Sequence, residues 1–170
     1  MNETEPHGTT PGAGGTAAWV RVETIIRRKD GTIREHLIEE GASGRYATVV
    51  NKALEMIPKL IVGISTAPFT YMANGTGSTA EGNAQTALVA ENTTGGMARK
   101  VAGVAYEADY KCAWEAAWTA SGAQSVREIG IFDGVFPGNM MIRHVYAATK
   151  NLADAESITC RLRYTQGRAA

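Results

Sequence analysis

The feature that most restricts this sequence is an alternation of apolar and polar residues that recurs along most of its length. Near the C-terminal end, Ile158, Cys160, Leu162 and Tyr164 fall on one side and Arg161, Arg163 and Thr165 on the other. Tyr110, Cys112, Trp114, Ala116 and Trp118 share a face in an earlier segment. Near the N-terminal end, Val20, Val22, Thr24 and Ile26 alternate with Trp19, Arg21, Glu23 and Ile25. A repeat of two is the side-chain period of a strand, with one face buried and one wet. Asp30-Gly31 then marks a type I′ hairpin turn, and Thr32 to Glu39 returns as the second strand. Phe69–Asn74, Met97–Glu107, Ser125–Asp133 and Met140–Ala147 complete a series of roughly eight short strands separated by turn residues.

Only one stretch keeps a helical period. Tyr46, Val49, Val50, Ala53, Leu54 and Ile57 recur at three and four residues, which predicts a helix over about 45–57. Pro58 lacks an amide donor and should kink or end it. Thr86–Glu91 reads as a single helical turn that packs Leu88 inward. With strands following strands, the expected fold is mainly β: an antiparallel β-sandwich with an N-terminal hairpin (19–39), one helix and a flexible N-terminal arm. Residues 1–17, rich in Gly, Thr and Pro, form the arm; residues 18–170 form a single domain, with its sandwich over 68–166.

Charge narrows the function. Lys plus Arg and Asp plus Glu both number 17. That balance argues against specific nucleic-acid binding, and it suits a subunit that lives in an assembly, because little net repulsion opposes association. The first residues have no basic start and no apolar core, and the apolar run Leu60–Ile64 is too short to span a bilayer. The expectation is a protein made in a cytosol with no membrane partner.

Motifs that would carry chemistry are missing from the sequence. GTGSTAEG (75–82) is glycine-rich, but no Lys follows Gly82, so it reads as a tight loop needing positive φ at one or more of Gly75, Gly77 and Gly82. His7, His36 and His144 stand without ligand-spaced partners and read as an arm position and solvated or pore-side strand positions. Glu39-Glu40 reads as a solvated hairpin end. Cys112 and Cys160 read either as small buried hydrophobes or as a bridge between neighbouring strands. The stripe Tyr110, Trp114 and Trp118 reads as core or subunit contact, or as a sugar platform if the rings are exposed. Asn74-Gly-Thr76 and Asn92-Thr-Thr94 match the glycosylation pattern but read as turns. No catalytic, cofactor-binding or metal-ligating residue is expected, and the chain reads as a non-enzyme.

Three segments together resemble a known family. YMANGTGSTAEGNAQTALVAE (71–91) is similar to the aromatic–Ala–x–Gly–x–Gly…Thr–x–Leu–x–x–Glu segment of many tailed-phage virion proteins. SVREIGIFDG (125–134) resembles their Glu–x–Gly–Leu–Phe strand, and MMIRHVYA (140–147) the strand after it. Asn74 and Ile131 depart from the usual apolar and Leu choices. The resemblance covers residues 69–147 and is to small capsid decoration and tail-collar or fibre-attachment proteins. It implies a virion structural protein, assembled in the host cytoplasm and requiring no cofactor. Its partners would be copies of itself, as homotrimers, and other virion proteins such as major capsid or tail proteins. A tail component (fibre-attachment, tube or baseplate subunit) and a host-surface carbohydrate-binding module are the alternatives. Trp19, Val20, Asp30, Gly31, Trp114 and Trp118 are the candidate subunit contacts, and Glu91, Arg99, Glu128 and Arg143 the candidate ion pairs fixing register.

Overall fold

A computed structural model describes residues 18–42, 47–65, 67–108 and 110–166. The expected arm (1–17), His7 and Tyr46 lie outside them. The described residues form ten strands and one helix: β1 (Ala18–Arg27), β2 (Ile33–Ala42), β3 (Thr48–Val49), α1 (Asn51–Ile61), β4 (Tyr71–Gly75), β5 (Lys100–Val101), β6 (Gly103–Ala108), β7 (Lys111–Thr119), β8 (Gln124–Phe132), β9 (Met140–Leu152) and β10 (Ser157–Gln166). They build two five-stranded antiparallel sheets, ordered β2-β1-β10-β7-β6 and β3-β9-β8-β4-β5. The fold is the expected mainly-β sandwich.

The alternation explains the first sheet directly. Val20, Val22, Thr24 and Ile26 of β1 are buried, as are Ile158, Cys160, Leu162 and Tyr164 of β10 and Trp114, Ala116 and Trp118 of β7. Facing them from the second sheet are Met72, Ile129, Ile131, Ile142 and Tyr146, in the same core cluster. Each buried tryptophan finds an acceptor for its indole N–H: Trp114 donates to the Phe69 carbonyl (2.5 Å) and Trp118 to the Ala98 carbonyl (2.9 Å).

The outer face of this sheet carries charge. Glu107 pairs with Arg161 and Arg163, and Glu23 meets His36 at 2.8 Å. One side of the sandwich, where β2 faces β9, is also closed by polar groups. Glu35 pairs with Lys150, Glu39 lies 3.0 Å from His144, and Arg34 lies 3.2 Å from Glu156.

The second sheet is buried on both faces. Its other face holds a smaller cluster of Val50, Ala73, Leu88, Phe132 and Met140, roofed by the segment between β4 and β5. That third layer explains why β8 is buried at successive positions where a one-sided strand would alternate.

Several local expectations are corrected. The hairpin turn is not type I′: Gly31 has φ +84° but Asp30 is not among the residues with positive φ. Gly31 N–H donates to the Arg28 carbonyl and Arg28 N–H to the Thr32 carbonyl, a three-residue loop of the glycine-bulge kind. The Asp30 carboxylate accepts from both the amide and hydroxyl of Thr32 (2.9 and 2.6 Å), which holds its pKa below the usual value.

The helix starts at Asn51, because Thr48 and Val49 pair with Arg143 and Ile142 as a strand instead. It also runs through Pro58 to Ile61. The proline forgoes its own amide bond, but its carbonyl still accepts from Val62, and Gly63 ends the helix at φ +74°. The packed face is therefore Ala53, Met56, Ile57 and Leu60, while Leu54 is 56% exposed.

Met97–Glu107 is not one strand. β5 belongs to the second sheet and β6 to the first, with Ala102 at the crossing. Thr86–Glu91 is irregular rather than helical, although Leu88 is buried as expected.

Candidate functional site: an anchored glycine loop

The three family-like segments are neighbours in space, since β4, β8 and β9 lie side by side in the second sheet. Alternation along β8 sends Glu128, Gly130 and Phe132 to the face beneath the roof, and Ile129 and Ile131 to the sandwich core. Register pairs Gly130 with Arg143 and Glu128 with Val145, so Glu128 and Arg143 come together under the loop.

Both side chains are fully buried, 0% exposed. Arg143 Nε donates to Glu128 Oε2 at 2.8 Å, and Nη2 sits 2.7 Å from the same oxygen. Glu128 Oε1 accepts the backbone N–H of Ala90 (2.8 Å) and of Gly77 (3.1 Å), and Oε2 accepts that of Val89 (3.2 Å). Arg143 Nη1 donates to the Thr79 carbonyl (3.0 Å) and to Gln85 Oε1 (2.9 Å). One ion pair thus supplies the hydrogen-bond partners that an irregular buried segment needs.

The glycines fit this anchor by their size. A Cβ on Gly75 would lie 2.8 Å from Glu128 Oε1, and one on Gly77 would lie 2.7 Å from the Val89 Cβ. Neither has positive φ, so the expected conformational reason is replaced by close approach. A Cβ on Gly82 would meet nothing closer than the Gln85 side chain at 3.9 Å, and Gly82 donates its N–H to Gln85 Oε1. Gly130 leaves room for Leu88 and Phe132, each with an atom 3.0 Å from where a Cβ would stand.

Further bonds fasten the rest of the loop. Glu91 and Arg99 form a two-pronged pair (2.9 and 2.6 Å), and the Arg99 guanidinium stacks 3.6 Å above the Phe132 ring and donates to the Gly134 carbonyl. Glu81 accepts from Thr48 (3.0 Å) and from the Val145 amide (2.7 Å). Asn74 donates to the Met97 carbonyl, and Asn92 to Asn74 Oδ1 and the Ser125 carbonyl. Both sequon asparagines are thereby committed to internal bonds.

All four ion-pair candidates come together as two pairs, Glu91–Arg99 and Glu128–Arg143. The subunit-contact candidates divide. Trp19 (50% exposed), Asp30 and Gly31 lie at the surface. Val20, Trp114 and Trp118 are buried inside the chain and are core residues, not contacts. Burial of both tryptophans also removes the sugar platform, which needed those rings in water; Tyr110 alone of that stripe is exposed.

His144 is not solvated. It is 2% exposed, lies 3.0 Å from Glu39 and 3.6 Å from Glu81, and stacks edge-on against Tyr146. Glu39 is consequently no solvated hairpin end: its hydrogen bond with His144 lowers its pKa. Cys112 and Cys160 are free thiols, in register with Tyr164 and Ala116 respectively, and burial raises both to about 11.

Gln85, Glu81, Asn74 and Asn92 were not foreseen as part of the anchor. The available signal was a set of amide and carboxylate side chains in a loop of otherwise small residues. Chemically, both Glu128 oxygens are taken by amides and guanidinium, so this carboxylate is placed to hold the loop. No cluster of three or more metal-ligating side chains occurs among the described residues. No family model matches the chain, and no curated protein matches it.

Proposed function

We propose that this chain is a structural subunit of a tailed-bacteriophage virion, foremost a capsid decoration or stabilising protein that assembles as homotrimers on the shell. One observation carries the reading: the three segments that resemble virion proteins are adjacent strands and loop, joined through Glu128 and Arg143. The residues that carry the resemblance are the residues that hold the glycine loop in shape. A framework protein has use for such a loop, which presents a fixed outline to a neighbour without moving.

The partners in this reading are other copies of the chain and the major capsid protein, with assembly in the host cytoplasm. A second reading, a tail tube, baseplate or fibre-attachment subunit, draws on the same resemblance and on the sandwich with its long hairpin. β1 lies inside the first sheet between β2 and β10, so the hairpin is not a free arm, and only its turn and the outer edge of β2 remain for a neighbour.

Light scattering on the purified protein, followed by sedimentation with empty phage heads, tests the reading. A particle of three 18.1 kDa chains that travels with the heads is the expected result. Rings or open tubes would move the protein to the tail. A species that ignores both heads and tails would defeat both readings.

A further inference from the structure

The two sheets have four edges, and three of them are protected. β3 and β5 are two residues long, too short to template another strand. β2 is long, but it carries Arg34, Glu35, His36, Glu39 and Glu40, and its core-side carboxylates are held by Lys150 and His144. Charge of that kind is a common guard on an edge.

β6 has no charge guard of that kind; a bulge between Tyr106 and Ala108, where Ala108 has φ +79°, interrupts only its far end. Its sequence, GVAYEA, holds no Pro or Lys, and its one charge, Glu107, is already paired with Arg161 and Arg163. No described strand pairs with its outer side. Val104 is 55% and Tyr106 77% exposed. Both line an apolar groove of about 460 Å³ whose other walls include Ile57 and Leu60 of α1, Phe69 and Trp114. An open strand edge beside an apolar groove fits an extended strand as occupant: main-chain bonds go to the edge and alternate side chains to the groove.

We infer that this occupant is β6 of a second copy, paired antiparallel across a two-fold axis through Ala105. In that register Val104 lies opposite the other copy's Tyr106, an aromatic against a β-branched residue, which is a favourable cross-strand pair. Gly103 lies opposite the other copy's Glu107, so the two carboxylates do not meet. A two-fold at Glu107 would oppose them directly. Each Tyr106 ring then covers the groove mouth of its neighbour, and two five-stranded sheets become one of ten. Five paired residues from each strand and a groove give an interface near or below the ~1,200 Å² lower bound of stable complexes, so dissociation is expected in the micromolar range. The inference does not depend on the virion reading, which would survive its failure.

Sedimentation equilibrium of the full chain over roughly 1–200 µM, a range set by that affinity class, is the primary test. The mass should double over that range, from one chain to two, or from three to six where the chain forms the trimers proposed above. Val104→Lys/Tyr106→Lys, at two exposed positions, should stay at the lower mass while keeping the parent circular dichroism and melting curve. Register is tested separately by cysteine placement and diamide oxidation. Ala105→Cys should form a disulfide-linked dimer, because residues directly opposite have Cα atoms about 4.5–5.5 Å apart. Gly103→Cys, where a Cβ meets nothing closer than 3.7 Å, should not. Four results would overturn the inference: a mass that does not double at any concentration; a doubled mass that survives the double lysine change; equal cross-linking of both cysteine variants; or doubling that occurs only after residues 1–17 are removed, which would make the chain's own N-terminal segment the cover.

Discussion

Glu128 and Glu107 are both carboxylates held by arginine, and they stand in opposite surroundings. Glu128 and Arg143 are 0% exposed, and Glu128 also terminates three backbone amides of the glycine loop. Glu107 sits on the outer face of the first sheet, 17% exposed, between Arg161 and Arg163 at 37% and 25%. Water and salt reach the second site and not the first. A buried pair is costly to assemble but costlier to break, because the surviving partner is left charged and dry. A surface pair mainly selects one arrangement of long side chains and contributes roughly 0–1 kcal/mol. The same residue types therefore hold a loop in one place and decorate a sheet in the other.

The largest effect is expected at Glu128. Glu128→Met strands the Arg143 guanidinium and leaves the amides of Gly77, Val89 and Ala90 without an acceptor. The predicted loss is about 5 kcal/mol in urea unfolding, comparable to the whole stability of a marginal domain. If that variant does not fold, Arg143→Met gives the second reading, with a loss of about 3–5 kcal/mol. Glu107→Met serves as the surface counterpart, at 1 kcal/mol or less by the screening argument above. Equal losses at the two glutamates would erase the distinction drawn between them.

Gly77→Ala probes the same anchor from the loop side. Its Cβ would stand 2.7 Å from the Val89 Cβ, and also close to the Glu128 carboxylate, so either the loop or the buried pair must shift. A loss of about 1–3 kcal/mol is expected, as for overpacking elsewhere. Gly82→Ala, whose Cβ would make only an ordinary 3.9 Å contact with Gln85 at an unstrained φ, should change stability by less than about 0.5 kcal/mol. A Gly77 variant as stable as the Gly82 variant would mean that the loop is not pressed against its anchor.

How much of this was readable in advance follows the same division. Where one face of a strand is wet, alternation sorts the side chains of β1, β7 and β10 into their two faces correctly, but it does not say which face is core: Val20, Trp114 and Trp118, offered as subunit contacts, are buried, and Tyr110 of the same stripe is exposed. Glu91, Glu128 and Arg143 could be picked out as charges at turns and strands of the family-like segments, and Arg99 as a charge between them. Their burial could not be foreseen, since a carboxylate in a strand ordinarily marks the solvent face and β8 is covered on both. The crossing of Met97–Glu107 between sheets was hidden because both halves alternate and nothing local marks Ala102 as a change of partner. Val49 fits the helical period and Thr48 lies inside the expected helix, and pairing with β9 outweighed both.

The smallest effect carries a pH signature. Arg163, with Arg161, holds the Glu107 carboxyl at about 2, against a usual 4.5, in opposition to the desolvation that would raise it. A depressed carboxylate stabilises the fold fully above its unfolded pKa, and that contribution drains away as pH falls through the folded value. The window is therefore about pH 4.5 down to 2. A shift of that size would be worth roughly 3 kcal/mol without screening. Solvent access to both arginines reduces it to about 1 kcal/mol or less. Glu107→Gln should thus match the parent protein near pH 2, fall below it by no more than that amount at pH 7, and show a flatter acid limb between. The gap should narrow further in 1 M salt, where the Debye length is about 3 Å. A gap that persists undiminished in salt would place Glu107 with Glu128, among the charges that water does not reach.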